Sequence, residues 1–190
     1  GVVEKDRIID GTRIEPGDQL VGLPSSGLHS NGYSLARKLM FEVAGLGADD
    51  SLEKFGIDRT VGEELLEPTR IYVKPVRAVF SRYRVKQIVT GIVHVTGGGL
   101  LENVPRVLPD GCAAEIDSET WERPAIFDAL QAIGEVSDED MYTTFNMGVG
   151  LVLLVKEHFT ASVMRQLEKQ GESPVLIGQV VEGDRGVTID

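Results

Sequence analysis

Apolar runs of strand length alternate with helix-like segments along most of this chain, and that alternation restricts the folds open to it. Strands are predicted at residues 19–23, 87–95, 112–116, 151–155 and 175–181. Helices are predicted at residues 33–44, 63–67, 100–108, 125–133 and 159–169, with a further one that begins at Pro75. This order is typical of a layered α/β or α+β domain, in which helices cover a sheet.

Two of the predicted helices carry additional local signals. Leu35, Leu39 and Val43 recur every four residues, which is the apolar stripe of an amphipathic helix. Thr60 and Glu63 have the spacing of a capping box, which predicts that a short helix begins there.

Residues 22–33, here called the serine–glycine loop, form the most unusual segment between a predicted strand and a predicted helix. They read G-L-P-S-S-G-L-H-S-N-G-Y. A glycine-rich loop that leads into a helix presents free backbone N–H groups and the positive end of the helix dipole. Residues 96–99, T-G-G-G, here called the triplet loop, repeat this arrangement after another predicted strand. Both loops are therefore candidate sites for phosphate or another anion.

Known phosphate-binding motifs do not account for either loop. Neither has the lysine of the G-x-x-x-x-G-K-[ST] pattern, and neither has the G-x-G-x-x-G pattern of dinucleotide-binding folds. Glycine-rich segments also form plain turns, so each loop alone is open to both interpretations. The presence of two such loops in one short chain favours a ligand site.

Several single residues are open to a functional and a structural interpretation. His29 is predicted either to contact a phosphate or relay a proton, or only to hydrogen-bond within its turn. Asn31, Asn103 and Asn146 precede or follow glycine-rich segments, where an amide serves a turn or a ligand equally well. His94 ends an apolar run and is predicted to be a hydrogen-bonded core residue.

Composition narrows the classes of partner. The formal net charge is −11, from 30 acidic and 19 basic residues, and such a field repels nucleic acid. A bound phosphate ester would therefore be held by backbone amides and a few local cations.

No apolar run reaches the roughly 20 residues of a membrane span. Cys112 is the single cysteine and cannot form an internal disulfide, which favours a reducing cytoplasm. It is predicted to be a buried thiol. No spacing typical of a metal site occurs.

Five blocks of sequence resemble one enzyme family, the phosphoribosylformylglycinamidine cyclo-ligases, also called aminoimidazole ribonucleotide synthetases. The first is G-L-P-S-S-G-L-H-S-N-G-Y-S-L-A-R at residues 22–37. The others are G-V-V-E-K at 1–5, L-L-E-P-T-R-I-Y-V-K-P-V at 65–76, H-V-T-G-G-G-L-L-E-N-V-P-R-V-L-P at 94–109 and M-Y-T-T-F-N-M-G-V-G at 141–150. The blocks follow in order across nearly the whole chain.

The resemblance implies a domain organisation and a fold. Enzymes of this family have an N-terminal domain that carries much of the ATP site and the dimer interface, and no block here corresponds to it. Residues 1–15 are then expected to be an interdomain segment or the end of an N-terminal domain, and residues 16–190 a C-terminal domain that contributes to the substrate and ATP cleft. The sequence of Gly1–Val3 is itself typical of the middle of a strand. The implied fold is a mixed sheet with helices, shared with formylglycinamidine ribonucleotide synthetase, thiamine-phosphate kinase and selenophosphate synthetase.

The resemblance also implies a reaction. ATP with Mg²⁺ phosphorylates the formyl oxygen of formylglycinamidine ribonucleotide, which releases ADP. An amidine nitrogen then closes the imidazole ring, and the phosphorylated oxygen leaves as phosphate. The partners implied are this ribonucleotide, ATP and a second copy of the full-length chain, while ATP and Mg²⁺ are held largely by the N-terminal domain. His29 is the candidate catalytic residue. The residues expected to line the cleft are Ser25, Ser26, Gly27, His29, Ser30, Asn31, Gly32, Thr96, Gly97, Gly98 and Gly99, with Thr69, Arg70 and Asn146 in second rank.

Three functions follow as alternatives. The first is the cyclo-ligase reaction, for which the 190-residue chain alone is expected to be inactive. The second is a related synthetase with another substrate. The third is an isolated ligand-binding or regulatory domain of the same superfamily.

Overall fold

Six strands form one mixed sheet in this computed structural model, which describes Val2 and residues 4–190. The strands are β1 (Gln19–Pro24), β2 (Val89–His94), β3 (Cys112–Ile116), β4 (Val149–Val155), β5 (Val175–Glu182) and β6 (Val187–Ile189). Their order across the sheet is β2-β4-β1-β5-β3-β6. Neighbours are antiparallel, except that β3 and β6 run parallel. The predicted fold class, a layered mixture of helices and strands, is confirmed.

Seven α-helices accompany the sheet in the described residues. They are α1 (Tyr33–Arg37), α2 (Val61–Leu65), α3 (Val73–Arg82), α4 (Gly99–Asn103), α5 (Ala125–Gly134), α6 (Asp138–Thr144) and α7 (Thr160–Glu168). A π-helical segment, Lys38–Val43, continues α1. Short 3₁₀ turns lie at Lys5–Arg7, Glu53–Phe55, Val104–Arg106, Ser118–Thr120 and Glu157–Phe159. None of the described helices combines the length and apolarity needed to cross a bilayer.

Strand β4 lies inside the sheet between β1 and β2, and all seven of its residues are buried. Successive side chains of a strand point to opposite faces. Leu153 accordingly packs in the core beneath α3 and α7, with Val79 and Val163. Leu154 packs in a second core beneath α4, with Leu100. The sheet is therefore covered on both faces.

A third core consists of helices and loops, since none of its fully buried residues belongs to a strand. Ala36, Val61, Phe127 and Met141 bring α1, α2, α5 and α6 together. The predicted capping box starts α2, because Thr60 accepts a hydrogen bond from the Glu63 N–H and the Glu63 carboxylate accepts one from the Thr60 N–H. This helical layer forms the surroundings of the serine–glycine loop.

Two expectations about individual side chains are wrong. Val43 is exposed, although the four-residue stripe placed it with Leu39 in the core. The π-helical bond from the Ala44 N–H to the Leu39 carbonyl spans five residues, which rotates Val43 away from that stripe. His94 is exposed because it is the last residue of β2, a strand at the edge of the sheet. The extended segment expected at Gly1–Val3 rests on residues 1 and 3, outside the described part of the chain.

Candidate functional site

Asn146 fixes the first half of the serine–glycine loop from beneath. It precedes β4 and is fully buried. Its amide oxygen accepts hydrogen bonds from the Ser25 hydroxyl at 2.8 Å and the Gly148 N–H at 2.9 Å. Its amide nitrogen donates to the Gly27 carbonyl at 2.8 Å. Asn146 therefore acts as the support of the loop, and the Ser25 hydroxyl is engaged inside the protein.

His29 lies within the loop, with its imidazole 3% exposed. Its Nε2 accepts hydrogen bonds from the backbone N–H groups of Ser26, at 3.1 Å, and Arg70, at 3.5 Å. Burial, with the nearby charges of His94 and Arg70, lowers the pKa of His29 to about 4. The ring is therefore neutral at pH 7 with its proton on Nδ1, and Nδ1 has no partner among the described residues.

A segment before α3 forms the outer side of the loop. The Ser26 hydroxyl donates to the Pro68 carbonyl at 2.7 Å, and the hydroxyls of Ser30 and Thr69 lie 3.4 Å apart. The Arg70 guanidinium donates to the Pro24 carbonyl at 3.3 Å and pairs with Glu172 at 2.8 Å. The positive charge of Arg70 is thus already balanced by a carboxylate.

Asn103 holds the triplet loop as Asn146 holds the first loop. Its amide nitrogen donates to the carbonyls of Thr96 and Gly97, both at 3.2 Å, and of Gly99 at 2.7 Å. Its amide oxygen accepts from the Thr96 hydroxyl at 3.0 Å. Gly98 and Gly99 both have positive φ, at 99° and 55°, which glycine adopts without strain. The triplet loop is therefore shaped by one buried amide and two left-handed residues.

The two loops meet against the end of α6. The Asn31 amide donates to the Val95 carbonyl at 3.3 Å, which links the first loop to the residue before Thr96. A Cβ at Gly32 would lie 2.2 Å from the Phe145 ring, and a Cβ at Gly99 would lie 1.8 Å from the Tyr142 carbonyl oxygen. Only glycine at these two positions allows the loops to approach Tyr142 and Phe145, here called the wall residues, so closely.

Several backbone donors of the serine–glycine loop lack a protein acceptor among the described residues. In the described chain, the backbone N–H groups of Leu28, His29 and Ser30 have no protein acceptor. His29 has a φ of 55°, and a left-handed residue within a turn directs successive N–H groups to one side, as in an anion-binding nest. This arrangement suits a phosphate group held without a dedicated cation.

The structure separates the predicted site residues into two groups. The first group is partly or fully exposed to solvent and consists of Ser26, Ser30, Asn31, Gly32, Thr69, Arg70, Thr96, Gly97 and Gly98. The second group is buried and consists of Ser25, Gly27, His29, Gly99 and Asn146.

The sequence interpretation missed three structural contributors. They are Tyr72, whose hydroxyl donates to the Pro24 carbonyl at 2.8 Å, and the wall residues Tyr142 and Phe145. Tyr142 and Phe145 carried no chemical signal, because they act through backbone position and packing.

A metal ion does not fit the described residues as well as a phosphate does. Across Val2 and residues 4–190, no three His, Cys, Asp or Glu side chains come together in a set that could hold one. A carboxylate beside the triplet loop is that of Glu102, which faces Gly98 and pairs with Arg106 at 3.6 Å. Mg²⁺ is usually held by one or two carboxylates together with substrate phosphates, so this single carboxylate does not make a metal site by itself.

Solved structures with a similar fold include thiamine-monophosphate kinase from Stenotrophomonas maltophilia K279a, with a TM-score of 0.62 and 16% identity. It is matched over 99% of this chain and 54% of its own. Escherichia coli HypE gives a TM-score of 0.61 at 20% identity, over 100% of this chain and 51% of its own. These likenesses establish the fold.

Curated relatives are much closer in sequence. The phosphoribosylformylglycinamidine cyclo-ligase of Bacillus subtilis (strain 168) is 52% identical over 188 residues, which is 99% of this chain and 52% of that protein. The enzyme of the same name from Geotalea daltonii is 48% identical over 98% of this chain and 52% of its own length. The chain thus spans about half the length of the curated relatives it matches.

A family model agrees with these relatives. The model described as "AIR synthase related protein, C-terminal domain" matches residues 15–190. The resemblance inferred from the five sequence blocks is confirmed. The chain therefore belongs to the AIR synthase related family, as a C-terminal domain of the kind found in phosphoribosylformylglycinamidine cyclo-ligases.

Proposed function

We propose that this chain forms one wall of the active site of an ATP-dependent cyclo-ligase, which converts formylglycinamidine ribonucleotide to aminoimidazole ribonucleotide in purine biosynthesis. The observation that carries the proposal is the serine–glycine loop, whose free N–H groups lie beside the triplet loop. The chain is also 52% identical to the cyclo-ligase of Bacillus subtilis.

The role of this chain is to bind and orient a phosphate group. The N–H groups of Leu28, His29 and Ser30 are neutral donors, which suit an acidic protein because they need no cation to hold an anion. Buried supports such as Asn146 and His29 hold the loop in shape before ligand arrives, so little reorganisation accompanies binding. When bound, ATP supplies the phosphoryl group that makes the formyl oxygen a good leaving group.

An N-terminal domain completes the site in this proposal. The relatives are about twice as long as this chain, and the described residues offer no cluster for Mg²⁺. The proposal accordingly assigns the metal, most of the ATP site and the homodimer interface to that domain, in a cytoplasmic enzyme. A neighbour in fold, AaThiL, was solved in complex with AMPPCP and TMP, which supports a nucleotide ligand for a protein that contains this type of domain.

The test joins this chain to the N-terminal half of the Bacillus subtilis relative and measures ring closure together with ADP release. We expect the chimera to be active and the 190-residue chain alone to be inactive. Ser26→Ala in the chimera removes the bond to the Pro68 carbonyl and should lower kcat/KM about tenfold or more.

Ser34→Ala is the matched control, since Ser34 is an exposed serine on α1. It should leave kcat/KM unchanged, with circular dichroism used to verify the fold of both variants. Ring closure by the isolated chain would refute the one-wall proposal. Equal kinetics for Ser26→Ala and Ser34→Ala would refute the role of the loop.

A further inference from the structure

A cavity of about 450 Å³, here called the cationic pocket, is lined by residues that belong to neither of the two loops. It lies at the C-terminal end of α3, beside the segment that enters β2. Its lining includes the cations Arg7, Arg13, Arg84 and Lys86 and the rings of Phe80 and Tyr83, which are here called the aromatic wall.

The charge of this pocket is opposite to that of the chain. Its lining contains four cationic side chains and, among the described residues, no Asp or Glu. The whole chain has 30 acidic and 19 basic residues. Arg7 pairs with Glu4 at 2.9 Å on the surface, and Arg13 interacts with Asp10. Arg84 has no carboxylate within ion-pair distance in the part of the chain that the structure describes.

Helix electrostatics explain only part of this cluster. Cations near the C-terminus of a helix interact favourably with its dipole, which accounts for Arg82 and Arg84 around the end of α3. Arg7 and Arg13 come from a segment about 70 residues earlier and follow no helix end of comparable length. Their convergence on the same cavity is therefore not a consequence of the α3 dipole.

Contacts with α7 and the residue before it hold Tyr83 of the aromatic wall in place. The Tyr83 hydroxyl hydrogen-bonds with Ser162 of α7, and its ring meets the edge of Phe159 with centroids 6.0 Å apart. Phe80 remains 36% exposed although it lies on the same helix as the buried Val79. A fixed ring beside a partly exposed ring offers a flat apolar surface that a planar ligand can contact.

We propose that the cationic pocket binds a small organic phosphate that carries a flat heterocycle, the chemistry of a nucleoside monophosphate. Arg84, Lys86 and Arg13 would hold the phosphate, since guanidinium and ammonium groups are its preferred partners. Phe80 and Tyr83 would contact the ring. The volume lies within the range of 300 to about 1,000 Å³ typical of small-molecule sites.

The test is a titration of the ¹⁵N-labelled chain with AMP, adenosine and inorganic phosphate as separate probes, with affinities measured by calorimetry. We expect AMP to shift the backbone amide signals of Val85 and Lys86. Adenosine and phosphate should each bind at least tenfold more weakly than AMP. Arg84→Glu should weaken AMP binding at least tenfold, while Arg82→Glu, at a neighbouring cation outside the pocket, should leave it unchanged.

Failure of this proposal is distinguishable from failure of the proposed function. AMP-induced shifts confined to residues 25–32 would place the ligand on the serine–glycine loop and overturn the pocket proposal. Equal AMP affinity in Arg84→Glu and the unmodified chain would also overturn it. If inorganic phosphate bound as tightly as AMP, the heterocycle would gain nothing from Phe80 and Tyr83, and the proposed role of the aromatic wall would be wrong. Ring closure by the chimera does not depend on any of these outcomes.

Discussion

At the scale of single residues, His29 shows how burial decides which chemistry a histidine can perform. Its Nε2 accepts two backbone N–H groups, and a protonated ring would lose that acceptor. Burial is the main cause that lowers the pKa of His29 to about 4. A neutral ring at pH 7 favours a positioning role for His29 over that of a charged acid.

The pH dependence of stability tests this assignment. An unfolded histidine has a pKa near 6.5, so between pH 6.5 and 4 the unfolded state binds the proton more tightly. His29 therefore contributes stability that is complete above pH 6.5 and is lost as the pH falls towards 4. Between pH 7 and 4.5 we expect this residue to account for about 2 to 3 kcal/mol of lost unfolding free energy.

The matched variant is His29→Asn, because asparagine tolerates the left-handed φ of 55° at this position. Urea unfolding at pH 7 and 4.5 should show a smaller loss in the variant than in the unmodified chain. The ¹⁵N shifts of the ring should also report a neutral imidazole with its proton on Nδ1 at pH 7. A measured pKa near 6.5 for His29 would contradict the prediction.

Residue roles were only partly predictable from sequence. The sequence pattern selected Asn146 and Asn103 as amides beside glycine-rich segments but left their roles open. Their function as supports depends on carbonyl groups brought near by the fold, including Gly27, which is 119 residues from Asn146. His94 was wrongly placed in the core because an apolar run does not reveal whether its strand lies at the edge of the sheet.

At the scale of elements, the contact between the serine–glycine loop and α6 depends on Gly32. This residue has a φ of 67° and precedes α1. An added Cβ would lie 2.2 Å from the ring of Phe145, which is fully buried. Gly32→Ala should therefore lower the unfolding free energy by roughly 2 to 4 kcal/mol, from backbone strain and overpacking together.

Gly45→Ala separates those two causes. Gly45 has a similar φ of 64°, but an added Cβ would have no atom within 4 Å. Its cost should be about 1 kcal/mol or less, since only backbone strain applies and alanine also restricts the unfolded chain. Chemical unfolding of both variants measures the difference. Equal costs would show that the loop is not packed tightly against Phe145.

Elements were more predictable than residue roles. The strand at Cys112–Ile116 was predicted with its observed bounds, and β4 was identified from its continuous apolar run. The π-helical segment Lys38–Val43 was not predicted, because its sequence has the same four-residue spacing as an α-helix. Strand β6 was also missed, since three residues are too few for a periodic pattern.

At the scale of the whole molecule, the two glycine-rich loops come together although residue 22 and residue 99 are far apart in sequence. Strands β1 and β2 are each hydrogen-bonded to β4, and each leads at its C-terminal end into one of the loops. Because β1 and β2 both run antiparallel to β4, their C-terminal ends lie at the same end of the sheet, beside the start of β4. Sequence alone identified both loops, but this topology is what places them side by side.

The same topology predicts how stability is distributed. Strand β4 is buried at every residue and bonded on both sides, whereas β6 has three residues at the edge of the sheet and none of them is fully buried. Amides that exchange only by global unfolding belong to such central strands, while edge strands open locally. We expect amide hydrogens at Val152 and Leu154 to exchange at least a hundredfold more slowly than that of Thr188.

Hydrogen exchange followed by NMR at pH 7 provides this measurement, and added urea distinguishes global from local opening. Exchange at Leu154 should accelerate with urea as strongly as global unfolding does, because its opening exposes both cores. Exchange at Thr188 should respond weakly, since separation of β6 from β3 exposes little apolar surface. Equal protection at the two strands would mean that the sheet opens only as a unit. In that case β4, which pairs with the two strands that lead into the loops, would be no better protected than the edge strand β6.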